Sequence, residues 1–264
     1  MATATLDRFV EVQSGRLRTR VFTAGSGDPV VFLHGAGGLT WDPFLDDLAE
    51  RFTVYAPEHP GCGESRGVEA LEGIWDLVLY YYDLFDALGL RAPAVVGHSF
   101  GGMVAAELAS CNPERVKRLA LIAPIGLWRD DVPVADWIGI DPARLPELIF
   151  TDPNGTLAKQ AFSLPEEPEA KMTAQFQMAM NLASTSQFVW PLPDKGLRKR
   201  IHRATQPTLI VWGAQDRLAP VAYAEEFRSR LPNAEVVVVD DAGHVPQLEQ
   251  REQVSRALLD FLGR

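Results

Sequence analysis

A serine flanked by glycines, Gly97-His98-Ser99-Phe100-Gly101, is where residue types and spacing in this chain first suggest chemistry. An apolar run at residues 94–96 precedes it and an apolar helical stretch to about Cys111 follows, so Ser99 stands at a turn from strand to helix. A turn that sharp crowds the backbone, and glycines on both sides avoid collisions. The hydroxyl is then pushed out at the carboxyl edge of a sheet, above the positive end of the helix. Such a hydroxyl becomes a nucleophile when a base stands beside it and an acid orients that base.

Five histidines are available for the base. His98 lies inside the elbow and points away from the edge, as a packed structural residue. His59, in a turn, and His202, in a basic stretch, read as solvated. His34 closes a strand at the same sheet edge and can order the adjacent loop. His244, in Asp240-Asp241-Ala242-Gly243-His244 after an apolar strand, has the location and chain order of the base. For the acid, Gly213-Ala214-Gln215-Asp216 ends a strand at the same edge. The competing position, after residues 116–123, holds Ala123-Pro124-Ile125-Gly126 and no carboxylate until Asp130. Asp240 and Asp241 are too close to His244 in a loop to meet its ring. The constellation is therefore Ser99, Asp216 and His244.

Acyl transfer also needs donors for a developing oxyanion. The Phe100 N–H, directly after the serine, is one. His34-Gly35-Ala36-Gly37-Gly38 offers the other, Ala36 N–H, with Gly37 N–H as the alternative. This glycine loop lacks Gly-x-Gly-x-x-Gly and a Walker lysine, which argues against a phosphate cradle. No histidine pair has metal-ligand spacing, so no metal is expected. Cys62, in Pro60-Gly61-Cys62-Gly63, has no evident base and reads as an inert thiol.

These residues need a scaffold that brings distant strand ends to one edge. Short apolar runs at residues 17–23, 29–33, 53–56, 94–96, 116–123, 208–212 and 235–239 read as strands. Helix-period segments lie near residues 41–52, 74–88, 100–111, 221–231 and 248–262. The alternation predicts an α/β fold with a mostly parallel sheet covered on both faces. Between Pro124 and Gln206 it stops. Prolines divide that segment into short helical pieces, with one longer piece near residues 169–181. The expected organisation is a core of residues 1–123 and 207–264 with a helical cap inserted at residues 124–206.

The chain has 264 residues, 47% hydrophobic, with a net charge of −10. That balance lacks the positive footprint of a nucleic-acid binder. The longest apolar stretch, residues 119–128, is interrupted by Pro124 and is far short of the roughly 20 residues that span a bilayer. Met1-Ala2-Thr3-Ala4-Thr5-Leu6-Asp7 carries no secretory signal. Two cysteines, Cys62 and Cys111, form no disulfide framework and read as free thiols of a cytoplasmic protein.

With these motifs the chain resembles the α/β-hydrolase superfamily over nearly its whole length. The turn Pro60-Gly61-Cys62-Gly63-Glu64-Ser65 and Glu249 after Gly243-His244 add to the likeness, while Glu58 departs from the usual Asp. The resemblance implies an α/β-hydrolase fold with a cap and a Ser99–His244–Asp216 triad that requires no cofactor. Serine at position 99 sets the chain apart from branches that use Asp there. A capped carboxylesterase or lactonase, acting on hydrophobic esters or acyl-homoserine lactones, is the reading favoured. Two alternatives stay open. One is a carbon–carbon hydrolase of ring-fission products, which typically has Trp where this chain has Val245 and a cap arginine that Arg198, Lys199, Arg200 or Arg203 would have to replace. The other is a ligand receptor that keeps the triad. Candidate pocket residues are Trp41, Phe44, Trp137, Met178, Trp190 and Val245, with Trp41 and Phe44 fitting a core position equally.

Overall fold

The computed structural model of the protein describes residues 6–192 and 194–264. Residues 1–5, on which most of the leader reading rests, lie outside the described residues. Eight strands form one sheet: β1 (Leu6–Val12), β2 (Leu17–Ala24), β3 (Pro29–Leu33), β4 (Thr53–Pro57), β5 (Ala94–His98), β6 (Leu119–Ile122), β7 (Thr208–Gly213) and β8 (Ala234–Val239). Their spatial order is β1-β2-β4-β3-β5-β6-β7-β8, with β2 antiparallel to both β1 and β4 and the remaining pairs parallel. The parallel strands β3, β5, β6 and β7 are almost wholly buried, as expected for strands with helices on both faces.

The helices between the strands divide by face. α1 (Pro43–Ala49) and, after the short α8 (Pro246–Glu249), α9 (Arg251–Leu262) bury Phe44, Leu45, Leu48, Val254, Leu258 and Phe261 against one side. α2 (Ile74–Ala87), α3 (Phe100–Cys111) and α7 (Ala222–Arg228) bury Leu77, Tyr81, Leu84, Val104, Leu108 and Phe227 against the other. Asp42 caps α1 by accepting the Leu45 N–H at 3.1 Å. β1 was not expected from the sequence. It is an edge strand whose apolar residues are largely exposed, Leu6 at 74%, so no buried alternation marks it.

Between β6 and β7 no strand occurs among the described residues. That stretch carries α4 (Leu145–Ile149), α5 (Thr156–Ala161) and α6 (Pro168–Val189). α6 runs past the expected end at Asn181. Its second half is rich in small polar residues, but Thr185 and Ser186 return their hydroxyls to the carbonyls of Asn181 and Ala183, and the helix continues. This face is polar because it docks on backbone: Ser184 donates to the Gly61 carbonyl, and Gln187 to those of Val68 and Leu71.

Arg200 fastens the segment before β7 to α3. Its guanidinium forms a bidentate pair with Glu107, at 2.9 and 2.6 Å, where the two side chains are 19% and 2% exposed. Burial pushes the Glu107 carboxyl up from its usual range, against the pull of Arg200. Removing one partner of such a pair leaves a buried charge and costs about 3–5 kcal/mol. Arg200→Ala should therefore lower the midpoint of thermal unfolding by on the order of 10 °C, read by calorimetry. The double replacement Glu107→Leu with Arg200→Met should recover most of that loss.

Candidate active site

Ser99 sits between β5 and α3 with φ 54° and ψ −115°, a conformation uncommon for a residue with a side chain. Three backbone bonds hold it there. Ser99 N–H donates to Ile122 O at 2.9 Å, and Ser99 O accepts from Met103 and Ile125 at 3.1 and 3.2 Å. The flanking glycines are required by contact. A Cβ on Gly97 would stand 2.3 Å from Gly101 O, and one on Gly101 would stand 2.1 Å from Leu33 O.

The structure brings Ser99, His244 and Asp216 into one hydrogen-bonded chain. Ser99 Oγ lies 2.8 Å from His244 Nε2, and His244 Nδ1 lies 2.8 Å from Asp216 Oδ2. Asp216 Oδ1 accepts the N–H groups of Leu218 and Ala219, each at 2.9 Å, so the carboxylate is fixed and its charge supported. A carboxylate accepting from Nδ1–H leaves Nε2 free to accept the serine hydroxyl. Asp240 and Asp241 are exposed and do not touch the ring.

The loop that carries His244 is held from three directions. His244 N–H donates to Ile149 O at 2.8 Å, and His98 Nε2–H donates to the His244 carbonyl at 2.9 Å. Glu249 accepts Gly243 N–H at 2.6 Å with one oxygen and both Thr151 groups, at 2.8 and 2.6 Å, with the other. Ile149 and Thr151 belong to the segment between β6 and β7, so that segment contacts the His244 loop directly.

His34 orders the glycine loop. Its Nδ1–H donates to Gly35 O at 2.7 Å and its Nε2 accepts the His59 N–H at 2.9 Å. His59 corrects an expectation: it is buried, not solvated. Its Nε2–H donates to His34 O, and Tyr81 donates to its Nδ1. Burial pulls His34 well below the ordinary histidine value, His59 to about 4 and His98 to about 3, so all three work as neutral rings. His202 is exposed. Burial raises the Cys62 thiol to about 12, which keeps it protonated and inert. Among the described residues no group of three His, Cys, Asp or Glu side chains is placed to hold a metal ion.

A cavity of about 280 Å³ opens over Ser99 and His244. Ala36 and Gly37 line it on one side, and Leu145, Phe150, Phe162 and Leu182 supply much of its apolar wall. Of the expected pocket residues, Trp137, Met178 and Val245 line it and the other three do not. Phe44 is wholly buried against the sheet, 6.0 Å from the Phe32 ring, because α1 turns that position inward. Trp41 packs on the same core and donates Nε1–H to Asp46 at 2.9 Å. Leu39 and Thr40, just ahead of it, face the cavity instead. Trp190 follows the end of α6, half exposed.

The sequence did not mark Asp42 or Asn181 for this site. Asp42 lines the cavity, and burial pushes its carboxyl up to about 6 against the pull of the Leu45 and Phe44 N–H groups. A carboxyl raised in the folded state binds protons more readily there than when unfolded. Its ionisation thus removes stability as the pH climbs from about 4 to 6. Asp42→Asn keeps the cap on α1 and removes that cost. Its unfolding midpoint should match that of the parent near pH 4 and exceed it by a few degrees above pH 7.

Residues 30–257 match the Alpha/beta hydrolase family. The dihydrolipoyllysine-residue acetyltransferase component of the acetoin cleaving system of Cupriavidus necator is 32% identical over 265 residues, which cover 97% of this chain and 69% of that protein. The pimeloyl-(acyl-carrier protein) methyl ester esterase of Nitrosomonas europaea is 29% identical, over 88% of this chain and 94% of its own. The solved structure of the 2-hydroxy-6-oxo-6-phenylhexa-2,4-dienoate hydrolase of Rhodococcus sp. strain RHA1 superposes with a TM-score of 0.74 and 25% identity, covering 99% of this chain and 100% of that one. The matched span runs from β3 into α9 and takes in the elbow, the sheet edge and the inserted helices: the chain belongs to the alpha/beta hydrolase family.

Proposed function

We propose that the protein is a serine hydrolase of neutral, largely hydrophobic carboxylic esters or lactones. The observation that carries this reading is the wall of the cavity over Ser99: it is mostly apolar, and no Arg or Lys is among its described residues. The cations near the end of the inserted segment are engaged or exposed elsewhere. Arg200 is committed to Glu107, Arg198 lies 3.8 Å from Asp194, and Lys199 and Arg203 face solvent. Similarity to the Nitrosomonas esterase supports the same reading.

In the proposed cycle His244 Nε2 takes the Ser99 proton as Oγ attacks the substrate carbonyl. The Ala36 and Phe100 N–H groups hold the oxyanion; the latter opens α3, where a helix leaves its first donors unpaired. Protonated His244, held by Asp216, hands its proton to the departing alcohol. Water then repeats the sequence on the acyl-enzyme, and His244 returns the proton to Ser99. In a lactone the leaving oxygen stays tethered to the acyl chain.

Similarity to the Rhodococcus dienoate hydrolase favours a second reading, cleavage of a carbon–carbon bond in a dienoate. That substrate class carries a carboxylate, which in this cavity would meet Asp42 and no cation.

Ser99→Ala should abolish labelling by a fluorophosphonate and lower kcat by roughly 10⁴- to 10⁶-fold. Asp216→Asn should lower kcat by roughly 10⁴-fold through the wrong imidazole tautomer, whereas Asp241→Asn should do far less. Labelling retained at another serine would reject the nucleophile, and the reverse order of the two Asp effects would reject the acid. Across p-nitrophenyl esters, each added methylene contributes about 0.8 kcal/mol of burial, so kcat/KM should rise up to a few-fold per carbon until the cavity fills. A flat series together with fast cleavage of a dienoate would replace this reading with the second one. Absence of sustained turnover on every ester would point to a receptor.

A further inference from the structure

α6 reaches the glycine loop beside Ser99 through one side chain. Asn181 is 7% exposed, and its amide bridges two loops. Nδ2 donates to the Gly37 carbonyl at 2.9 Å, while Oδ1 accepts from Gly63 N–H at 3.1 Å and from Gln177 Nε2 at 2.9 Å. A carbonyl only accepts and a backbone N–H only donates, so these partners fix which way the amide faces. The approach is close. Gly38 has φ +104°, and a Cβ built there would lie 2.3 Å from Asn181 Nδ2. Glycine at this position admits the amide.

Beyond Gly35, whose carbonyl His34 holds, the loop has little else to fix its shape. A Cβ at Gly37 would meet nothing within 4 Å, and the Gly38 N–H to Gly35 O bond is long at 3.3 Å. Peptide planes between consecutive glycines turn over at small steric cost. The Gly37 carbonyl shares its peptide plane with the Gly38 N–H, so whatever that carbonyl bonds fixes this plane and pins the loop on the carboxyl side of the Ala36 and Gly37 N–H groups. Docking of the helix does not need Asn181, since Ser184 and Gln187 bind the 61–71 loop independently.

We infer that Asn181 is a positioning residue for the oxyanion hole: it ties the inserted helix to the Gly37 carbonyl and so holds in place the loop that carries the donors. This rests on the serine-hydrolase reading for its catalytic consequence. It makes stabilisation of the oxyanion depend on the seating of α6.

The test compares Asn181→Asp, Asn181→Ala and, as a control on the same helix face, Ser184→Ala. Asn181→Asp keeps size and the acceptor for Gly63 but turns an oxygen toward the Gly37 carbonyl. On p-nitrophenyl butyrate both Asn181 variants should lose about 10- to 100-fold in kcat with KM little changed, and bind an aliphatic trifluoromethyl ketone more weakly by a similar factor. Ser184→Ala should keep both. Folded variants that retain kcat and ketone affinity would overturn the inference, as would an equal loss in Ser184→Ala. Backbone amide shifts of Ala36, Gly37 and Gly38 give a readout independent of turnover. They should move in Asn181→Asp and stay in Ser184→Ala; unmoved shifts would overturn the Asn181 role even if the wild type hydrolyses esters. A wild type that turns over no ester, with the shifts moving as expected, would instead overturn the hydrolase reading and leave the positional role standing.

Discussion

The strained turn at Ser99 is the constraint around which the rest of the site is arranged. A residue with a side chain held at φ 54° persists only where its surroundings over-determine it. Here β6 takes the Ser99 N–H, and α3 and the chain after β6 take its carbonyl. The flanking glycines let α3 come down onto the ends of β3 and β5 so closely that a methyl group at either would strike backbone. The hydroxyl is left standing above the sheet edge with its approach direction fixed. Gly213 repeats the device at the end of β7, where a Cβ would lie 2.0 Å from Gly243 O, so the loop carrying His244 packs directly on the end of the strand that leads into the Asp216 turn.

Around that edge the inserted segment is part of the site, not only its cover. Ile149 and Thr151 bind the His244 loop and Glu249, and Asn181 binds the glycine loop. Each bond joins an element of the insertion to a loop of the core that contains glycines. Loops of glycine and small residues have many accessible conformations, and a few well-directed hydrogen bonds from a rigid helix select one.

Polar groups near the reacting serine divide into two kinds. The rings of His34, His59 and His98 are buried, neutral and hydrogen-bonded within the fold, which makes them fixed parts of the framework. Asp42 is different. It caps a helix with one oxygen and stands at a cavity whose wall is otherwise largely apolar, with no Arg or Lys among the described lining residues, so it gives the cavity a negative bias.

The alternation of strands and helices from β2 onward, the strand-to-helix turn at Ser99 and the stretch without strands between β6 and β7 were legible in the sequence, because each is written in residues adjacent along the chain. Alternating apolar runs, glycines at fixed offsets from a serine and prolines that interrupt a pattern are local signals, and local sterics turn them into local geometry. What the tertiary structure alone decided depends on which distant segments meet. His59 looks like a turn residue until α2 brings Tyr81 against it. Trp41 and Phe44 fit a pocket or a core equally in sequence, and the rotation of α1 on the sheet assigns both to the core. Arg200 belongs to a basic run that reads as solvated, yet it is spent on Glu107 across the fold. Asn181 carries no signal at all: an asparagine in the polar half of a helix becomes a link to the glycine loop only because packing places it within 2.9 Å of a carbonyl at residue 37.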